Sequence, residues 1–223
     1  MSQSGIALVV ALMITLLMAT LAAALILATT VETRIAAQYQ RAEAGLYAAD
    51  AGVERVLDDL LGVADWNRLL DGTARSSFVD GPPSGTRTLA DGAVLDLSQT
   101  INLANCNKTT ACTTADMDTL SDDRPWGPNN PRWKLFAYGP VSSLVDDMSV
   151  DSPYYTVVMV GDDPSEADGD PAVDGSGANP GAGIVALRGE SFGPGGAHKV
   201  VELTVTRALP EIAIKVLSWR ELR

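Results

Sequence analysis

Charge is missing from the first 31 residues: no ionisable side chain lies between Met1 and Val31. The 16 Lys and Arg and the 28 Asp and Glu, a formal net charge of −12, all follow that stretch. Proline is absent before Pro82, histidine occurs once, and cysteine occurs twice. Each scarcity excludes something. A net charge of −12 with no basic run repels phosphate backbones, which argues against nucleic-acid binding. The single His198 leaves no histidine-rich metal site, and a Ser-His or Cys-His mechanism would rest on it alone. Its setting, Gly-Gly-Ala-His-Lys-Val-Val, reads as the start of a strand. The glycine-rich Gly193–Gly196 stretch precedes a strand and no helix, so it reads as a hairpin turn and not a phosphate loop. No catalytic constellation emerges, and the chain reads as no enzyme.

What the N-terminus does contain is an apolar run, Ile6 to Leu27, interrupted only by Thr15 and Thr20. About 20 such residues at about 1.5 Å each cover the roughly 30 Å of a bilayer's hydrocarbon. A threonine hydroxyl can bond back to the preceding helical turn, so the two polar side chains are tolerable there. A secretory signal has a shorter apolar centre behind a basic start; here Met1–Gly5 holds no Lys or Arg.

Beyond the run, Ile35, Tyr39, Ala42, Leu46, Ala49, Val53, Val56 and Leu60 recur at alternating spacings of four and three, a heptad stripe. The charged residues of Glu32–Asp59 lie off that stripe, and no proline interrupts it. The spacing predicts one helix from about Ile6 to Leu61, with Gly62 as its stop. The second half of the stripe is expected to cover its own domain's core. The first half has no such need within the chain. Gly45 and Gly52 are interior weak points that suggest the close approach of another helix.

These residues resemble the N-terminal region of PilX-like minor pilins, the type IV pilus assembly proteins. The resemblance rests on Gly5, the small-hydrophobic run Ile6–Leu12, the threonine-rich exit Thr29–Arg34 and the Ala48–Gly52 stretch, Ala-Ala-Asp-Ala-Gly. It implies cleavage after Gly5 by a prepilin peptidase, leaving Ile6 as a methylated N-terminus. Major pilins carry a glutamate at the fifth mature position, which offsets a neighbour's terminal amine. Here that position is Val10, a lack shared by PilX-like proteins and by the tip pseudopilin of type II secretion. An unpaired charge in hydrocarbon is costly, so the resemblance implies a subunit at the filament tip that primes assembly. It further implies other minor pilins, the major pilin, the inner-membrane assembly platform and a tip adhesin as partners. The expected location is the inner membrane, single-pass, with the body in the periplasm and then at the cell surface. Two alternatives stay open: a type II secretion tip pseudopilin, and a membrane-anchored extracytoplasmic binding domain with no filament role.

The expected organisation is a leader at 1–5, the apolar half of the helix at 6–31, its amphipathic half at 32–62 and a β-rich body at 63–223. Strands are expected at Thr86–Leu97, Trp133–Tyr138, Tyr154–Val160, Gly183–Arg188 and Lys199–Arg207, the last alternating Val201, Leu203, Val205 against Glu202, Thr204, Thr206. Ile212–Leu222 reads as either an edge strand or a tail. The fold class is α+β, with the second half of the helix packed on an antiparallel sheet.

Three features of the body remain. Cys106 and Cys112, with five residues between them and no Cys-x-x-Cys, read as a disulfide pinning a loop outside the cytoplasm. Gly161–Gly183 holds six acids and no base. It reads first as a solvated acidic loop, and second as a calcium site at Asp168, Asp170 and Asp174, although no EF-hand register fits. Trp126, Trp133, Phe136 and Tyr138 read as one end of a core rather than a partner anchor.

Overall fold

The computed structural model describes residues 3–145, 150–166, 169–175, 181–208 and 213–222. The chain forms two compact units, Met1–Arg41 and Ala42–Arg223. A single helix, α1 (Gln3–Leu61), supplies the described part of the first unit and the opening of the second. In the first unit every side chain from 5 to 36 is exposed. The apolar run makes α1 long and apolar enough to cross a membrane. Thr15 and Thr20 hydroxyls donate to the Leu12 and Leu17 carbonyls at 2.9 and 2.8 Å, which removes their polar cost within that run.

In the second unit the stripe turns inward. Ala49, Val53, Val56 and Leu60 are buried against Val158, Val160, Val185, Leu187, Val201, Leu203 and Val205 of an antiparallel sheet. That sheet has the order β3 (Lys134–Pro140), β4 (Tyr155–Asp162), β5 (Ile184–Gly193), β6 (Ala197–Ala208) and β7 (Ala213–Leu222). It follows a short helix, α2 (Asn67–Leu70), and a separate hairpin of β1 (Thr86–Thr88) and β2 (Val94–Asp96). The fold is therefore α+β and pilin-like.

Gly45 and Gly52 do mark close approaches, but to strands and not to a second helix. A Cβ at Gly52 would press on Thr156 of β4, and one at Gly45 would lie 3.3 to 3.4 Å from Lys199, Ser191 and Tyr154. The Ser191 hydroxyl donates to the Gly45 carbonyl at 2.6 Å, so helix and sheet are joined where a side chain is missing.

Thr86–Leu97 is not one strand. Gly92, at φ 85°, reverses the chain between β1 and β2, and Leu97 begins a ten-residue helix, α3 (Leu97–Cys106). Asp96 caps it, its Oδ1 accepting from Ser98 N at 2.9 Å and Gln99 N at 3.1 Å. The hairpin and α3 close the sheet's other face: Leu95, Leu97 and Ala104 pack with Trp133, Leu135, Tyr138, Tyr155, Val157 and Met159. A sheet covered on both sides has central strands buried throughout, as all eight residues of β4 are. The core is thus three layers, helix, sheet, and hairpin with α3. β5 runs five residues beyond its expected end at Arg188, and Ile212–Leu222 resolves into the edge strand β7, with Ile212 outside the described residues.

Candidate functional site

The N-terminal part of α1 carries the residues for which the sequence leads to an expected assembly role. Gly5, Ile6 and Val10 lie on it, all exposed, and nothing lies within 4 Å of a Cβ placed at Gly5. The stripe divides along its length: Ile35 and Tyr39 are exposed, Ala42 and Leu46 half-buried, and Val53, Val56 and Leu60 buried. One heptad pattern therefore holds two environments. The buried part is used by the body itself, and the exposed part, with Tyr47 beside it, is not.

Cys106 and Cys112 form a disulfide with Cα atoms 6.0 Å apart. It fastens the end of α3, where Asn107 takes the left-handed conformation at φ 56° and donates its N–H to the Leu103 carbonyl at 2.9 Å. Beyond it the short helix α4 (Thr114–Met117) starts on a reciprocal Thr113–Asp116 capping box. The hydrogen bond from Lys108, then those from Thr113, hold the Asp116 carboxyl down at about 2. Arg124 ties these pieces together by donating to the carbonyls of Ala104, Pro131 and Met117 at 3.0, 3.0 and 3.3 Å. Its burial, then Arg132 and Arg188 nearby, lowers its pKa to about 10.

The acidic segment is not a uniformly solvated loop. Asp162, Asp163 and Glu166 are buried. Asp163 Oδ1 accepts from Ser165 N at 3.0 Å and Glu166 Oε2 from Gly175 N at 3.3 Å, so these acids hold the loop's backbone. Of the three residues expected to hold calcium, Asp168 lies outside the described residues. Asp170 is exposed with its Oδ1 accepting from Ala172 N, and Asp174 Oδ1 accepts from Gly183 N at 2.7 Å. Burial raises the Asp174 pKa. Among the described residues no three His, Cys, Asp or Glu side chains gather as a metal site.

The four aromatic residues do not form one cluster. Phe136 is buried on the helix side of the sheet, while Trp133 and Tyr138 are buried on the opposite side. Strand alternation divides them, with a register shift between Leu135 and Ala137. Trp126 is half-buried, with the Arg220 guanidinium 5.8 Å from its ring centre.

Sequence reasoning missed a charged row across the sheet. Arg188 bonds Glu190 at 2.6 Å and Glu202 at 2.8 Å, Arg220 also pairs with Glu202, and His198 Nε2 lies 2.9 Å from Glu190. Burial opposes the Glu190 charge, but the hydrogen bond with His198 and the charge of Arg188 outweigh it and lower its pKa. Burial likewise works against Arg188, and Glu190 and Glu202 more than offset it. A cavity of about 440 Å³ between α3 and the sheet is lined by Leu103, Arg124, Arg188, Glu190 and His198. The signal was available as Arg188 and Glu190 at i, i+2 on one strand, had β5 been read to its full length.

No curated protein and no solved structure matches the chain. The family described as PilX N-terminal matches residues 4–54, from just before Gly5 to just beyond Val53 on α1. That match ends inside the helix and leaves the sheet, the hairpin and the disulfide outside it. Over residues 4–54 the chain is thus similar to the N-terminal segment of PilX-type pilus proteins, on a helix long and apolar enough to cross a membrane.

Proposed function

We propose that this protein is a minor pilin that primes assembly of a type IV pilus and occupies its tip. The observation that carries the reading is the charge-free, exposed stretch from Gly5 to Val31, within the segment that matches the PilX N-terminal family. Prepilin peptidase cuts after Gly5 and Ile6 becomes the methylated N-terminus. Val10 supplies no carboxylate for the amine of a subunit added above it, so the helix suits a position with no subunit above. Ile35, Tyr39, Ala42 and Leu46 continue the contact with neighbouring helices outside the bilayer.

The protein waits in the inner membrane with its body in the periplasm. There it meets other minor pilins and the assembly platform, and then leads the major pilin outward, with a tip adhesin as a further partner. Its work is association, with no catalysis. The reading carries no cofactor, and calorimetric titration of the full chain with Ca²⁺ is expected to give no heat. A binding isotherm would reinstate the calcium reading of Asp170 and Asp174.

Two measurements on cells test the reading. Mass spectrometry is expected to find the chain starting at methylated Ile6, and deletion of its gene is expected to reduce surface pili several-fold. Normal piliation after deletion would overturn the priming role, whatever the state of the N-terminus.

A further inference from the structure

The two edges of the sheet are treated differently. Along β3, the segment Ser76–Asp80 runs as a parallel strap: Ser76 N donates to Phe136 O at 3.0 Å, Tyr138 N to Phe78 O at 3.0 Å and Asp80 N to Tyr138 O at 2.9 Å. That edge is closed. The other edge is β7, ten residues long and paired only with β6 among the described residues. An edge strand of that length presents a row of unused N–H and C=O groups, which folded proteins ordinarily blunt or cover.

The side chains of β7 are as open as its backbone. Val216, Leu217 and Trp219 are 43%, 51% and 47% exposed. Val216 and Trp219 stand opposite Val205 and Leu203 of β6, so they share the face of the sheet that packs on α1. Trp219 is oriented by its Nε1, which donates to Asp50 Oδ1 at 3.2 Å. Lys215, Ser218 and Arg220 stand opposite Thr206, Thr204 and Glu202 and share the other face. Lys215 is exposed and has no ion pair among the described residues. The free edge therefore has one apolar side and, on the other, the cation of Lys215 beside an Arg220 that is already paired with Glu202.

We propose that β7 is a docking edge for a partner protein, which adds an extended strand as a sixth strand. The added strand carries apolar residues toward Val216 and Trp219, and an acidic residue toward Lys215. A second copy of this chain is a poorer occupant on two counts. Its net charge of −12 repels its twin. Antiparallel pairing of two β7 strands with Val216 against Trp219 also places Lys215 against Arg220, like charges directly opposite. The inference goes beyond helix-mediated assembly and does not depend on it, since the edge lies in the body and its test reads the body alone.

The test uses the full chain in detergent micelles and a ten-residue peptide alternating valine and aspartate, with a valine–lysine peptide as control. Hydrogen exchange is expected to slow across 213–222 and stay unchanged across 134–140. The aspartate peptide is expected to bind at least tenfold more tightly than the lysine peptide, and Lys215→Glu, an exposed change, to reverse that preference. Equal binding of both peptides, or no slowing of β7 exchange at millimolar peptide, would overturn the proposal. So would a dimer already protected at β7 without peptide, which would make the second copy the occupant.

Discussion

At the scale of single residues, the two most informative positions are where helix and sheet touch and where charge is buried. Gly52→Ala adds helix propensity worth about 1 kcal/mol. The new methyl group, however, meets Thr156, a fully buried residue whose hydroxyl donates to the Glu190 carbonyl at 3.3 Å. Overpacking of that kind costs about 1–3 kcal/mol, so the variant is expected to melt several degrees lower, as circular dichroism would show. Glu190 controls a pH effect. Its pKa is lower in the folded protein than its ordinary 4.5. The stability it contributes is thus complete above pH 4.5 and is lost as pH falls through the folded value beneath it. Glu190→Gln is expected to be less stable at pH 7 by roughly 1–3 kcal/mol, the cost of a lost charged hydrogen bond, and to show a shallower decline of Tm below pH 4.5. An unchanged acid slope would remove Glu190 from that role.

At the scale of elements, α1 contains a core helix and, on the proposed function, an assembly helix on one heptad pattern. Leu60→Ala empties a fully buried site and is expected to cost about 2–5 kcal/mol in body stability. Ile35→Ala removes the same kind of side chain from an exposed position of the same stripe. It is expected to leave the melting of the body unchanged and to lower incorporation into pili, measured by immunoblot of sheared filaments. Equal thermal loss in both variants would mean the stripe has a single environment. The periodicity of this helix was legible because 3.6-residue repetition depends only on local geometry. Its division into a core half and an outer half was legible as well, but the residue at which burial begins was not, since that depends on where the sheet ends. α3 escaped notice for a related reason: its buried positions include Thr100 and Asn105, polar residues that a hydrophobic count passes over. Asn105 is buried because its side chain exchanges hydrogen bonds with the Trp133 backbone at 2.8 and 3.0 Å, a partner 28 residues away.

At the scale of the whole molecule, the proposed tip position makes Val10 decisive. Val10→Glu introduces a carboxylate into the apolar run with no amine assigned to meet it, near the start of the run, where the cost is below the about 3 kcal/mol of a bilayer centre. The variant is expected to keep the melting temperature of the body and to reduce pilus number several-fold by electron microscopy. Normal piliation would indicate that another subunit sits above this one after all.

The sequence by itself determined the apolar helix, the heptad stripe, the α+β class and the resemblance of residues 4–54, because hydrophobic period and local motif need no knowledge of distant residues. Only the tertiary structure decided that the hairpin and α3 cover the second face of the sheet, and that Asp162, Asp163 and Glu166 are buried. It also placed Arg188, Glu190, Glu202 and His198 in one row, and left β7 open at the edge while Ser76–Asp80 closes β3. Each of these is a long-range pairing. Burial and hydrogen-bond partners follow from which strands become neighbours, a property that composition and spacing along the chain do not contain.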